Sequence, residues 1–389
     1  MGSDLKKESL KLHKELKGKL EIVSKRKVTK ENLPLLYTPG VAASCMEIYH
    51  DRVKEYEYTG KQNTIAIVTD GSAVLGLGKI GPQAAMPVME GKAILFKEFG
   101  GVNAIPICLD TYDTEEIIQT TKHIAPSFGG INLEDISSPR CFDIEKKLDE
   151  ELDIPVFHDD QHGTAVVVYA GVINALKLVN KTSDRIKVVI NGAGAAGIAI
   201  AEFLLKNKFN DIILCDSKGI VHHRRKEGMN QVKEKIARIT NPRGQTGSLA
   251  DALGGCELFI GVSVRDILSE EMISSMAKDP VLFTLANPDP EISPERAKKA
   301  GVKVIATGRS DYPNQVNNLL AFPGIFKGAL GVRAGRITFE MKREASLAIA
   351  SLVKRNDLKP GYFIPHATDR TVAEVVSDAV RFAYKKYGA

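Results

Sequence analysis

Several common features are missing from this 389-residue chain, and each absence narrows its function. No two of its five cysteines (Cys45, Cys108, Cys141, Cys215, Cys256) stand as CxxC, and their number is odd. That excludes a disulfide framework and a thiolate zinc site, and it suits a reducing compartment. No apolar run approaches the length of a membrane span. The opening "MGSDLKKESL" has no apolar leader core, and Lys6 stands where an N-myristoylation signal wants Ser or Thr. Charge of one sign is lacking too. The net charge is +5, with bases and acids interspersed, so nucleic acid is not an expected partner. The densest basic run, "HHRRK" (222–226), reads as a solvated loop. Tryptophan is absent and aromatics reach 6%. What remains is an ordinary soluble composition, long enough for two domains, with no membrane partner and a cytoplasmic location as the expectation.

Leu5, Leu12, Leu16 and Leu20 share a helical face among lysines, which predicts a surface helix over 4–20 that packs on a body or a partner. "NLPLLYTPGVAA" (32–43) reads as a structured loop leading into a helix. Short apolar runs at 63–72, 103–110, 131–138 and 154–160 read as strands, and 111–130 and 164–179 as helices. From Ile186 onward strand and helix patterns alternate, which implies a parallel sheet covered on both faces. The tail (336–389) reads as helical with a break at 359–369.

GxGxxG occurs twice, and context separates the two. Gly192, Gly194 and Gly197 follow the strand "IKVVIN" and open a helix, with Ala195 and Ala196 between the last two glycines. The next strand ends at Asp216, 19 residues after Gly197. The glycines allow a tight turn, close approach of a pyrophosphate and close helix packing, and the acid suits a ribose hydroxyl. This predicts dinucleotide binding. The earlier match, Gly76, Gly78 and Gly81, is followed at once by Pro82, and Pro87 is expected to interrupt the next stretch. It reads as a flexible loop close to a substrate. Asp216 leans the cofactor to NAD, while Lys218 nearby leaves NADP open.

"HDDQHGTA" (158–165) places two aspartates between two histidines. His158 and His162 have the i, i+4 spacing of a zinc pair, but no third N or S ligand is evident. The alternative is an oxygen site. Glu134 and Asp135, in "NLEDIS", also follow an apolar strand, and carboxylates from two strand ends suit Mg²⁺ or Mn²⁺. On these residues alone the oxygen site stands against the plainer reading of the two acidic pairs as solvated surface.

From about Leu33 to Val332 the chain resembles the malic enzymes in their compact bacterial and archaeal form. The resemblance rests on "LYTPGVA", "TDGSAVLGLGKIGP", "MEGKAILFK", "LEDI", "FHDDQHGTA", "GAGAAG", "ANPDPEI" and "ATGRSDYPNQVNNLLAFPG", in that order. It implies oxidative decarboxylation of L-malate to pyruvate and CO₂ with NAD or NADP and a divalent cation. By position it makes Tyr37 the general acid and Lys92 the general base. It makes Glu134, Asp135 and Asp160 the metal ligands, with Asp159 beside them. Asn287 and Asn318 match the substrate-holding asparagines. The cofactor set is Thr164, Gly192, Gly194, Ala195, Ala196, Gly197, Asp216, Val262 and Asn287. Two departures stand out. Large eukaryotic members carry an arginine where this chain reads Ser72–Ala73, and "IPHATD" differs from the family's tail motif.

The residue types suit that chemistry. The implied role has neutral Lys92 take the hydroxyl proton as hydride leaves C2, the cation act as electron sink, and Tyr37 protonate the enolate. Such a base is expected to have its pKa lowered from about 10.4 toward roughly 7–8, a bias of about 4 kcal/mol. The fold expected is α/β with two domains. Residues 1–158, completed by 318–389, form the substrate domain, and 159–317 form a Rossmann-like doubly wound parallel sheet. The amphipathic N-terminal segment predicts a homodimer in which Tyr37 approaches the partner's Lys92. Two rivals remain: a 2-hydroxy-acid dehydrogenase without decarboxylation, and a non-catalytic dinucleotide sensor.

Overall fold

The computed structural model describes residues 3–74 and 76–388. Met1 and Gly2 of the opening segment, and Leu75 of the first glycine loop, lie outside the described residues.

Two parallel sheets organise the chain. The first has the order β2-β1-β3-β4, from β1 (Thr64–Thr69), β2 (Asn103–Cys108), β3 (Gly130–Leu133) and β4 (Val156–His158). The second has the order β10-β9-β8-β5-β6-β7. Its strands are β5 (Lys187–Asn191), β6 (Asp211–Asp216), β7 (Gly219–Ile220), β8 (Leu258–Gly261), β9 (Val281–Thr284) and β10 (Val304–Thr307). All pairings are parallel except β6 with β7. Ile65–Val68 and Val188–Ile190 are wholly buried, as strands covered on both faces must be. That is why these runs are continuously apolar rather than alternating.

The direction of strand addition reverses between β1 and β3 in one sheet and between β5 and β8 in the other. Loops diverge at such points and leave a crevice beyond the strand C-termini. Glu134 follows β3, and its N–H donates to Val68 O at 3.0 Å. Gly192 follows β5, and Val262 follows β8.

Helix Thr164–Leu178 is buried along most of its length, and Gly171 lets it approach the Phe283 ring. A β-branched run thus forms a helix because its position between layers rewards apolar bulk on every side. The tail folds as helices Phe322–Gly331, Phe339–Ser351 and Thr371–Tyr387. Phe322 and Phe326 pack on Phe96, with ring centroids 4.5 and 5.4 Å apart, which fastens the tail to the first sheet's helical layer.

Pro87 does not interrupt the helix after the first glycine loop. Helix Pro82–Leu95 runs through it. Pro82 sits near its start, where a missing N–H costs nothing. An interior proline costs about 3 kcal/mol, and burial of Ala85, Met89, Lys92 and Ala93 on one side outweighs it. The first glycine motif forms a loop, with Gly71, Gly76, Gly78 and Gly81 all at positive φ. Among the described residues, no helix is long and apolar enough to cross a membrane.

Candidate active site

A cleft of about 720 Å³ lies between the two sheets' loop ends. It gathers Lys92, Glu134, Asp135, Asp159, Asp160, Thr164, Ala195, Ala196, Val262, Asn287 and Asn318. Residues spread over more than two hundred positions converge because both reversal points face the same space. Gly76 touches the backbone of Asn287, where a Cβ would meet Asn287 O at 2.5 Å.

The acids come from two neighbouring strand ends. Glu134, Asp135 and Asp160 offer carboxylate oxygens within 4.8 Å of one another, the one such cation-competent group among the described residues. Asp135 sits at φ 54°, and its N–H donates to Asp160 Oδ2 at 2.9 Å. Glu134 is buried, and burial with Asp160, Asp159 and Asp135 alongside pushes its carboxyl well above the ordinary range, against the opposing pull of Lys92. Carboxylates crowded this closely repel unless a cation shares them, and an all-oxygen set suits a hard dication such as Mg²⁺ or Mn²⁺. The histidines lie outside that group, although His158 Nδ1 is 3.8 Å from Asp160 Oδ2. His162 Nε2 lies 3.0 Å from Glu145 Oε2, and His158 is fully buried behind Asp160. The zinc-pair spacing is therefore not a zinc pair.

Lys92 rises from helix Pro82–Leu95. Its Nζ donates to Glu134 Oε1 at 2.9 Å and to Asp159 Oδ2, and it lies over the Phe322 ring. Burial opposes its charge, but the Asp159 and Glu134 carboxylates outweigh burial and hold its pKa above that of an ordinary lysine. This is the opposite of the lowered value expected for a free base. Asn318 Nδ2 donates to Asp159 Oδ2 at 3.1 Å and lies 3.1 Å from Thr164 Oγ1, so it braces Asp159 as well as lining the cleft. Gly163 makes room for Asp159, because a Cβ there would lie 1.8 Å from Asp159 Oδ1.

The second glycine turn has the shape its sequence implies. Gly192 takes φ 121°, and a Cβ on Gly197 would meet Gly192 O at 1.7 Å. Around Gly194 a Cβ would meet nothing within 4 Å, so its surface is open to a ligand. Helix Ala195–Lys206 starts there without a side-chain cap, and its first residues Ala195 and Ala196 line the cleft, where a helix N-terminus favours a phosphate. Asp216 ends β6, as expected, but its carboxylate is already engaged by Arg225 and Lys233. Arg225 belongs to the "HHRRK" run, and its side chain is only 8% exposed. That run is therefore not simply a solvated loop, because one of its bases turns inward to meet Asp216. Lys218 instead pairs with Glu227.

Tyr37 is not in the cleft. It is 68% exposed, in the loop between helices Leu33–Leu36 and Val41–His50. Sequence reasoning also missed Glu291, which accepts from Ser263 N at 3.2 Å and Ala286 N at 3.1 Å and so ties the β8 and β9 loops. Its one signal in the sequence was an acid placed between Pro290 and Ile292.

Two family models cover most of the chain: "Malic enzyme, N-terminal domain" over residues 17–149 and "Malic enzyme, NAD binding domain" over 161–384. The bifunctional malic/malolactic enzyme of Bacillus subtilis is 56% identical over 99% of this chain and 94% of its own length. The NAD-dependent malic enzyme of Geobacillus stearothermophilus is 58% identical over 93% of this chain and 76% of its own length. The crystal structure of the NAD-dependent malic enzyme of Thermotoga maritima superposes with a TM-score of 0.93, at 52% identity, covering 96% of this chain and 98% of that one. With the paired sheets, the acid cluster and the glycine turn meeting in one cleft, the chain belongs to the malic enzyme family.

Proposed function

We infer that this protein oxidatively decarboxylates L-malate to pyruvate and CO₂, reducing NAD or NADP, with a divalent cation held by Glu134, Asp135 and Asp160. The observation that carries the reading is the placement of Lys92 and this acid cluster in the cleft that the dinucleotide turn enters. When bound, the cation supplies the electron sink for decarboxylation. Residues 1–158 with 318–389 serve as the substrate domain and 159–317 as the dinucleotide domain. The packing of Phe322 and Phe326 on Phe96 supports that division.

Lys92 acts as the base for the C2 hydroxyl while hydride passes to the nicotinamide. It is held charged by Glu134 and Asp159. A cation held by Glu134 would draw that carboxylate away from Lys92, which would ease loss of the ammonium proton. Asn287 and Asn318 orient the substrate. Breaking the C3–C4 bond releases CO₂ and leaves the enolate of pyruvate, which Tyr37 protonates at C3.

Tyr37 reaches a cleft by belonging to a second copy of the chain. The N-terminal segment leaves Leu5, Leu10, Leu12, Leu16, Ile22 and Leu35 between 51% and 97% exposed. A segment this apolar needs a cover, and a two-fold homodimer provides one. The free cysteines support action in a reducing cytoplasm. The test is turnover of L-malate with NAD, with and without Mn²⁺. Pyruvate, CO₂ and NADH are expected in equal amounts and only with the metal. NADH without CO₂ overturns decarboxylation in favour of a simple hydroxy-acid dehydrogenase.

A further inference from the structure

Behind the acid cluster lies a buried chain of side chains that no step above uses. Glu145, on helix Arg140–Glu151, is 8% exposed. Its Oε1 accepts from the backbone N–H of His158 at 2.8 Å, and its Oε2 lies 3.0 Å from His162 Nε2. On the far side, Lys342 Nζ lies 3.3 Å from His162 Nδ1. Lys342 belongs to the tail helix Phe339–Ser351. An ammonium has only protons to offer, so Nδ1 accepts and Nε2 carries the hydrogen that Glu145 accepts. Each contact thus has a donor and an acceptor in one consistent sense.

The residues gripped at both ends matter most. His158 immediately precedes the wide turn Asp159–Gly163, which carries Asp159 and Asp160, and His162 is its next-to-last residue. One carboxylate therefore fixes the start and the end of a five-residue turn with an irregular backbone. Asp160 is also held by the Asp135 N–H on the opposite side, and His158 Nδ1 lies 3.8 Å from its Oδ2. We propose that Glu145 is a positioning residue for the divalent cation, clamping the turn that presents Asp160, with Lys342 as the far anchor of the clamp. This rests on the cation-site reading above. It adds that the tail helix Phe339–Ser351, remote in sequence, sets how tightly the metal is held.

Partners behind a ligand typically change metal affinity roughly 10–100-fold when removed. The experiment measures Mn²⁺ dissociation constants by electron paramagnetic resonance on the full-length protein, with NADH binding by fluorescence in parallel. Glu145→Gln is nearly isosteric but has one acceptor oxygen for two donors, so its NH₂ faces either the His158 N–H or the His162 Nε2–H, donor against donor. It is expected to weaken Mn²⁺ binding about 10-fold while NADH binding stays within about twofold. Lys342→Met is the second variant, which removes the far anchor, and it is expected to weaken Mn²⁺ in the same direction by less. Unchanged Mn²⁺ affinity in Glu145→Gln overturns the clamp. So does an equal loss of Mn²⁺ and NADH binding, which marks a general structural role. Asp160→Asn is run alongside. If it binds Mn²⁺ like the wild type, the cation site itself is wrong, which is a failure distinct from that of the clamp.

Discussion

Arg225 lies across Asp216 as a bidentate pair, with Nη1 2.7 Å from Oδ1 and Nη2 2.5 Å from Oδ2. Lys233 adds a third contact at 2.6 Å. Burial works against the charge of Asp216, but these two cations bring its carboxyl down to about 2. The acid that a ribose 2′-hydroxyl would want is therefore already committed, and two bases on one carboxylate leave a positive surplus. NADP is expected to be accepted alongside NAD. Arg225→Gln with Lys233→Gln is expected to raise the KM for NADP about 10-fold or more, since a hydrogen bond to a charged group is worth roughly 1.5–3 kcal/mol. The KM for NAD should not rise. Steady-state kinetics with both cofactors decides it, and an unchanged NADP/NAD ratio removes these residues from cofactor choice.

The cation site makes its own demand. Asp160→Ala is expected to abolish malate turnover while NADH still binds, because the dinucleotide turn at Gly192–Gly197 shares no atom with it. His158→Ala and His162→Ala should keep an absolute requirement for Mg²⁺ or Mn²⁺, His162→Ala with weaker affinity. Chelation followed by titration with each metal measures this. Full activity of Asp160→Ala after chelation contradicts an oxygen-ligand site.

The exposed Tyr37 and the buried Lys92 pose a question of assembly. Each of Tyr37→Phe and Lys92→Ala is expected to cut malate turnover, by about 10²–10⁴-fold for a lost general acid or base. If the N-terminal segment crosses to a second copy, a mixed dimer of the two variants regains one site with both native residues. Random exchange of subunits then restores roughly a quarter of wild-type activity. No recovery after exchange has been verified by mass spectrometry shows that each chain builds its own site.

Which of these features could be read from the sequence follows from their range. The glycine turn and Asp216 were legible because their spacing is local and each glycine answers a local steric need. Glu134, Asp135 and Asp160 were legible as acids at strand ends. Their mutual distance was not, because it depends on β3 lying beside β4. Arg225 looked like one base in a solvated run, since nothing local shows that the chain after β7 folds back onto β6. The helix through Pro87 was missed for a similar reason: its support comes from packing, and the local rule argues against it. Tyr37 and Lys92 were matched by resemblance alone. Glu145 and Lys342 are 197 positions apart and meet only through His162.

Glu291 carries the final prediction. It is fully buried, accepts only backbone N–H groups, and presses against Gly261, where a Cβ would lie 2.3 Å from its carboxyl carbon. Burial pushes its pKa up to about 7 from an ordinary 4.5, more than the hydrogen bonds from Ala286 and Ser263 can offset. In the unfolded chain the group loses its proton near 4.5. In the folded chain it keeps the proton until about 7. The folded state thus binds more protons between those values, and its stability falls as pH rises through that window. The loss levels off above it, at about 3 kcal/mol. Glu291→Gln stays neutral and keeps an acceptor for one of the two N–H groups. The variant is therefore expected to gain on the wild type as pH rises from 5 to 8. Urea unfolding at the two pH values measures the difference. A variant whose stability relative to wild type is the same at pH 5 and pH 8 shows that Glu291 titrates no differently when folded.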